Sequence, residues 1–179
     1  MLAAGEKLVT YPFSDYWKDV GTIDSLWESN LDLLNPKVEL DLSDPKWRIY
    51  SRTPSAPPQY ISDTAEVQNS LVTEGCNVYG KVDFSVLFDN VTVEAGAEVR
   101  DSLIMPGAVI KSGASVQYAI IAENVVVEGG ATVGERPENV SNLEEWCIAV
   151  VGADLLVGKN ASVSAKAMVT ESVKEGEKV

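Results

Sequence analysis

The sequence predicts a mainly β fold: a three-sided parallel β-helix of about 17 residues per coil, preceded by a short helical and extended segment. Two observations carry this. Glu94 to Ile110 (EAGAEVRDSLIMPGAVI), Lys111 to Val127 (KSGASVQYAIIAENVVV) and the stretch opening at Glu128 (EGGATVG) superimpose at an offset of 17 residues. Gly96, Gly113 and Gly130 then coincide, as do Ala97, Ala114 and Ala131, and Val99, Val116 and Val133. Inside each unit runs a shorter period. Val82, Leu87, Val93, Val99, Ile104, Ile110, Val116, Ile121, Val127 and Val133 follow one another at 5, 6, 6, 5, 6, 6, 5, 6 and 6 residues. An amphipathic helix repeats near 3.6 and a flat half-buried sheet near 2, so neither explains the pattern. Three short sides of about six residues, with one residue trimmed, do.

Each side places one aliphatic inward, above its equivalent in the next coil. The predicted ladders are Val93, Ile110, Val127; Val82, Val99, Val116, Val133; and Leu87, Ile104, Ile121. Glycine supplies the positive φ that tight corners need, and the alanine after it fits where the bend leaves little room. Stacking coils roughly 4.8 Å apart runs the backbone hydrogen bonds between coils. Burial of each aliphatic contributes about 1.5–3 kcal/mol against about 1–2 kcal/mol per ordered residue, so a coil needs neighbours.

Upstream, Ile61, Val67, Val72 and Cys76 continue the pattern, with Cys76 expected in the ladder of Val93, Ile110 and Val127 as a small buried hydrophobe. Gly134 to Trp146 (GERPENVSNLEEW) breaks the period and reads as an outward loop. The ladder is expected to resume at Val151, Val157, Val163 and Met168, and the charged end ESVKEGEKV to fray.

The first sixty residues differ. Ile23, Leu26, Trp27, Leu31 and Leu34 lie at helical spacing after Thr22, a suitable N-cap, and Asp24 suits the first turn. Asn35-Pro36 stops the helix. Met1 to Gly5 reads as the end of a helix, and Leu8 to Phe13 (LVTYPF) as a strand-like lead-in. Pro45, Pro54, Pro57 and Pro58 mark residues 43–60 as an extended connector, with Trp47 and Ile49 as its anchors. The expected organisation is a remnant of a larger domain over 1–42, the connector over 43–60, and the coil over 61–179 with its loop at 134–146. One helix and a lead-in are too little for a core, so the chain is expected to be a piece of a longer protein.

Composition removes several functions. Fourteen Lys and Arg against 27 Asp and Glu give a net charge of −13, which disfavours nucleic acid. No His is present, so His-based triads, His general bases and His-ligated zinc are excluded. The two cysteines, Cys76 and Cys147, make no disulfide framework. No apolar run approaches the roughly 20 residues of a membrane span, and Met1 to Pro12 lacks the pattern of a secretory signal. The expected location is the cytoplasm. There the Asn-x-Ser/Thr triplets at Asn90, Asn139 and Asn160 carry no meaning.

Tyr16 to Leu34, YWKDVGTIDSLWESNLDLL, closely resembles the segment that ends the catalytic domain of the ADP-glucose pyrophosphorylase (glucose-1-phosphate adenylyltransferase) family. The connector with Trp47, Ile49 and Pro57-Pro58 is similar to that family's linker, and the repeat with Ser102 to Gly107 (SLIMPG) to its C-terminal left-handed β-helix of the hexapeptide-repeat type. Asn142 to Val151, NLEEWCIAVV, resembles a stretch late in the bacterial enzymes. The family's glycine-rich nucleotide loop, first magnesium aspartate and sugar-phosphate lysine have no counterpart here.

The resemblance implies that the chain is the C-terminal regulatory and oligomerisation part of a nucleotidyltransferase. The parent makes ADP-glucose and pyrophosphate from ATP and glucose 1-phosphate for glycogen synthesis. In the intact enzyme Asp19, in the W-x-D-x-G-T motif, becomes a magnesium ligand; read alone, it is a solvated or capping carboxylate, and the fragment is expected to be inactive and metal-free. Lys18 reads as solvated rather than as a phosphate contact. The family binds phosphorylated metabolite effectors near the junction of helix and catalytic domain, so Arg48 and Arg52, with Lys81 and Arg100, are candidate effector contacts; each read singly is solubilising charge. The implied partners are the catalytic domain of the same protein and further copies of the chain, as a homotetramer. A non-catalytic regulatory paralogue is the alternative. A hexapeptide-repeat acyltransferase fits less well, because that class relies on a catalytic His.

Overall fold

A computed structural model describes residues 2–42, 44–50, 55–137 and 148–179. Three parallel sheets of six short strands each wind around one axis. Face A stacks Tyr60–Ile61, Asn77–Val78, Thr92–Val93, Val109–Ile110, Val126–Val127 and Leu156–Val157. Face B stacks Glu66–Gln68, Lys81–Asp83, Glu98–Arg100, Ser115–Gln117, Thr132–Val133 and Ser162–Val163. Face C stacks Leu71–Val72, Val86–Leu87, Leu103–Ile104, Ala119–Ile121, Ala149–Val151 and Met168–Val169.

Register bears out the ladders read from the spacing. Val93, Ile110 and Val127 pair in sequence on face A, Val82, Val99, Val116 and Val133 on face B, and Leu87, Ile104 and Ile121 on face C. All of them are fully buried in one aliphatic column. Gly96, Gly113 and Gly130 turn the A–B corner at φ 78°, 77° and 73°, and Ala97, Ala114 and Ala131 behind them are buried. At the B–C corner the turn residues are Asn69, Phe84, Asp101 and Tyr118, all at positive φ. Serines follow them. Ser102 donates its N–H to Ser85 Oγ at 3.2 Å, and its own Oγ accepts from Ala119 N at 3.2 Å. The hydroxyls thus accept backbone N–H groups of the next coil at this bend, adding to the ladder that the carbonyls carry.

Three expectations for the coil are corrected. Cys76 is buried, but Val78 holds its predicted place on face A; Cys76 sits at the C–A corner, where its carbonyl accepts from Tyr60 N as that of Val91 accepts from Asn77 N. The coil above is shortened at Gly80, so counting back in units of 17 misses by two residues. A Cβ on Gly80 would come within 2.4 Å of Ala97 O, which is why this corner takes glycine. Val169, not Met168, enters the core; Met168 points outward from face C beside Val150. The charged end does not fray either. Val173 is buried and bridges Val157, while Ser162 bridges Lys178, so the tail forms a partial last coil.

Helix α1 spans Ile23–Leu31, with a 3-10 turn at Asp32–Leu34. Thr22 caps it: Ser25 N donates to Thr22 Oγ1 at 3.2 Å, and Thr22 N donates back to Ser25 Oγ at 3.1 Å. Its buried side is Trp27, Leu31 and Leu34; Ile23 and Leu26 of the predicted stripe remain exposed. This side closes on the outer surface of face C, against Val86, Leu103, Ile120 and Ile148. Strands of face C are therefore apolar on both surfaces, as sheets covered on both sides must be. Trp27 fixes the seat: its indole N–H donates to the Asp101 carbonyl at 2.8 Å, and its ring stacks on Tyr118 at 5.7 Å.

Before the helix, only Leu2–Ala4 forms a 3-10 turn, with Gly5 at φ 69°. Residues 8–13 form no strand, since no edge lies beside them, and Val9 and Tyr11 are 80% and 90% exposed. Trp47 and Ile49 anchor nothing among the described residues: both are exposed. The loop leaves at the B–C corner through Gly134, and the coil resumes at Ile148; residues 138–147, with Asn139 and Cys147, lie outside the described residues. Among the described residues no helix is long and apolar enough to cross a membrane.

Candidate functional site

The segment entering α1 is built from side of chain to side of helix. Lys18 Nζ lies 2.9 Å from Glu28 Oε2 and 2.8 Å from Asp32 Oδ2. Asp32, the C-cap of α1, follows Glu28 by one turn, so one ammonium meets both. Tyr16 Oη donates to the same Asp32 Oδ2 at 3.0 Å. Lys18 is not simply solvated, as its sequence neighbourhood suggested; it ties the lead-in to the helix. Burial works against its charge, but the hydrogen bonds to Asp32 and Glu28 outweigh that and lift its pKa above the ordinary lysine value. Burial, followed by the hydrogen bond to Asp32, raises the Tyr16 hydroxyl.

Asp19 follows directly and is exposed. Its Oδ1 accepts the Gly21 N–H at 3.1 Å, and a side chain on Gly21 would meet that oxygen at 3.3 Å. The turn fixes the carboxylate and leaves Oδ2 pointing to no hydrogen-bond partner among the described residues. A hard oxygen donor of fixed direction fits one position around magnesium, which takes one or two carboxylates beside substrate phosphates. It does not make a site alone: among the described residues, no three His, Cys, Asp or Glu are grouped to hold a metal ion.

The candidate basic residues fall into two depressions. Arg48 lies with Asp44, Pro45 and Tyr50 on the connector; Arg52 lies outside the described residues. Lys81 and Arg100 share a shallow groove on face B with Asp83 and Gln68. There Lys81 pairs with Glu66 at 3.3 Å and Arg100 with Glu98 at 3.5 Å, all well exposed. Such pairs balance charge along a strand ladder and contribute about 0–1 kcal/mol. Sequence reasoning missed Tyr16, Glu28 and Asp32. The available signal was the spacing of Glu28 and Asp32 on one helix face, four residues apart.

A second polar group surrounds the seat of Trp27. Burial lifts the Asp101 carboxyl above the ordinary value, with Asp83 adding and Arg136 and Arg100 opposing. Burial and then Asp101 raise the Tyr118 hydroxyl, with Arg136 opposing. Cys76 donates to the Phe88 carbonyl at 3.0 Å, and burial raises its thiol, which makes it a structural rather than a reactive group.

Residues 57–148, more than half of the chain, match the GlmU-like C-terminal hexapeptide family. The chain belongs to that family. Its hexapeptide coil is joined, in residues 1–36, to a stretch that matches the nucleotidyl transferase family. Curated relatives include proteins named glucose-1-phosphate adenylyltransferase from Bacillus cytotoxicus, Bacillus mycoides and Bacillus anthracis. Each is 56% identical over 108 residues, covering 60% of this chain and 29% of the relative. The hexapeptide chain thus spans less than a third of the length of the curated relatives it matches.

Proposed function

We propose that this chain is the C-terminal part of a glucose-1-phosphate adenylyltransferase. In the reaction, a phosphate oxygen of glucose 1-phosphate attacks the α-phosphorus of ATP, forming ADP-glucose and releasing pyrophosphate. The observation that carries the reading is the joint one: a nucleotidyl transferase match ending in the Asp19 turn and α1, seated directly on a hexapeptide coil. The 56% identity to the named Bacillus enzymes supports the same reading.

In this reading Asp19 presents its free oxygen to a magnesium ion whose other ligands come from outside residues 1–179. Bound magnesium supplies neutralisation of phosphate charge during the displacement. The hexapeptide column serves self-association, with a homotetramer as the expected assembly in the cytoplasm, because its strand edges and exposed end offer unpaired backbone groups. Arg48 and Arg52 remain the candidate contacts for a phosphorylated effector. Arg48 is exposed, as that role requires.

The test is ADP-glucose formation from ATP and glucose 1-phosphate by the full-length product of the gene encoding this chain. Magnesium-dependent release of pyrophosphate with ADP-glucose is expected. A folded product that makes none overturns the proposal.

A further inference from the structure

We infer that Lys18, held by Glu28 and Asp32, is a positioning residue for Asp19, tying the carboxylate's direction to helix α1 and through it to the hexapeptide column. The inference rests on the proposed role of Asp19 as a metal ligand and adds what holds that ligand in place.

Asp19 lies in a short span between two anchors. On one side is Lys18, whose ammonium bridges Glu28 at 2.9 Å and Asp32 at 2.8 Å. On the other is Thr22, locked into the reciprocal cap with Ser25. Between them the Asx turn from Gly21 N–H to Asp19 Oδ1 sets the side-chain direction. Both anchors belong to one continuous helical stretch, because Glu28 lies on the helix that Thr22 caps and Asp32 is that helix's C-cap. That helix in turn is fixed to face C by Trp27, Leu31 and Leu34.

The Lys18–Asp32 pair is more shielded than the ion pairs on face B. Lys18 and Asp32 side chains are 22% and 20% exposed, whereas Lys81 and Glu66 are 49% and 61% exposed. One cation also shares two carboxylates, and Tyr16 adds a further hydrogen bond to Asp32. Shielded networks of this kind retain geometry that isolated surface pairs do not. The lead-in has no strand pairing to hold it otherwise, so loss of Lys18 frees the residue next to Asp19. Groups that orient metal ligands typically change metal affinity by about 10–100-fold when removed.

The experiment measures Mn²⁺ affinity by electron paramagnetic resonance, with ATP present, on the full-length gene product. Lys18→Met is expected to weaken binding about 10-fold, with the Glu28→Gln/Asp32→Asn double variant weakening it similarly. Lys18→Arg, which keeps the cation, is expected to retain most of the affinity. Lys37→Met, which removes an exposed lysine, is expected to bind as wild type. Circular dichroism melts of each variant report folding separately. If Asp19→Asn loses Mn²⁺ while Lys18→Met binds as wild type, the positioning role is overturned and the ligand role stands. If Asp19→Asn binds as wild type, the ligand role fails and the positioning role with it.

Discussion

Replacing Ile110 by alanine cuts the column at its middle. The side chain is fully buried between Val93 and Val127, which pair with it directly on either side. Backbone hydrogen bonds of 2.9 Å tie this coil to both neighbours, from Glu94 N to Ile110 O and from Lys111 N to Val127 O. The coils cannot close on the void without breaking that ladder, so the loss belongs in the upper part of the about 2–5 kcal/mol usual for Ile→Ala in cores. With a urea m-value of about 2–3 kcal/mol/M for a chain of this size, a loss of about 3–4 kcal/mol lowers the midpoint by more than about 1 M. Val109, one residue away, points outward and is only half-buried. Val109→Ala should cost under about 1 kcal/mol. Urea unfolding followed by far-ultraviolet circular dichroism reads both. Equal midpoints for Ile110→Ala and wild type, or equal damage from the two substitutions, would refute the inward ladder.

Trp27→Ala removes the 2.8 Å bond to Asp101 O and the stack on Tyr118; the cost of about 3–5 kcal/mol falls on helix docking. Amide exchange should accelerate across residues 23–34 while Ile104 and Ile121 stay protected, and unchanged exchange in the helix counts against its seat on face C. Ser102→Ala leaves the buried Ala119 N–H without its acceptor, a loss of about 1–3 kcal/mol visible as a lower urea midpoint; an unchanged midpoint contradicts the serine ladder. Asp101 gives a pH signature. Its folded pKa is raised by burial, so the folded chain holds the proton more tightly than the unfolded one. Its contribution is full below about pH 4 and is lost as pH rises through the raised folded value. Asp101→Asn should therefore lose less stability than wild type between pH 4 and pH 7 in thermal melts, and an equal loss argues against the burial.

The column was legible because inward positions carry one aliphatic each and the corners repeat Gly-Ala, which sets Val99, Val116 and Val133 in one register. It failed where the coil length changes. Shortening at Gly80 moved Cys76 out of register, and the alternation within one short strand exchanged Met168 for Val169. The tail looked too charged to order, yet its paired backbone and the buried Val173 suffice. Around the candidate site, Asp19 was visible only through its motif. The Lys18 bridge joins residues 10 and 14 positions apart across a turn, which spacing rules for a single element do not cover. The outer apolar surface of face C and the stripe of α1 were both readable, but nothing in either stretch says that they meet.

Methyl-to-methyl nuclear Overhauser contacts of Ile110 read the stacking of the inward column itself. Contacts are expected from Ile110 to both Val93 and Val127, its neighbours above and below. Contacts of Ile110 confined to residues three or four positions away, or antiparallel cross-strand contacts in their place, would contradict it.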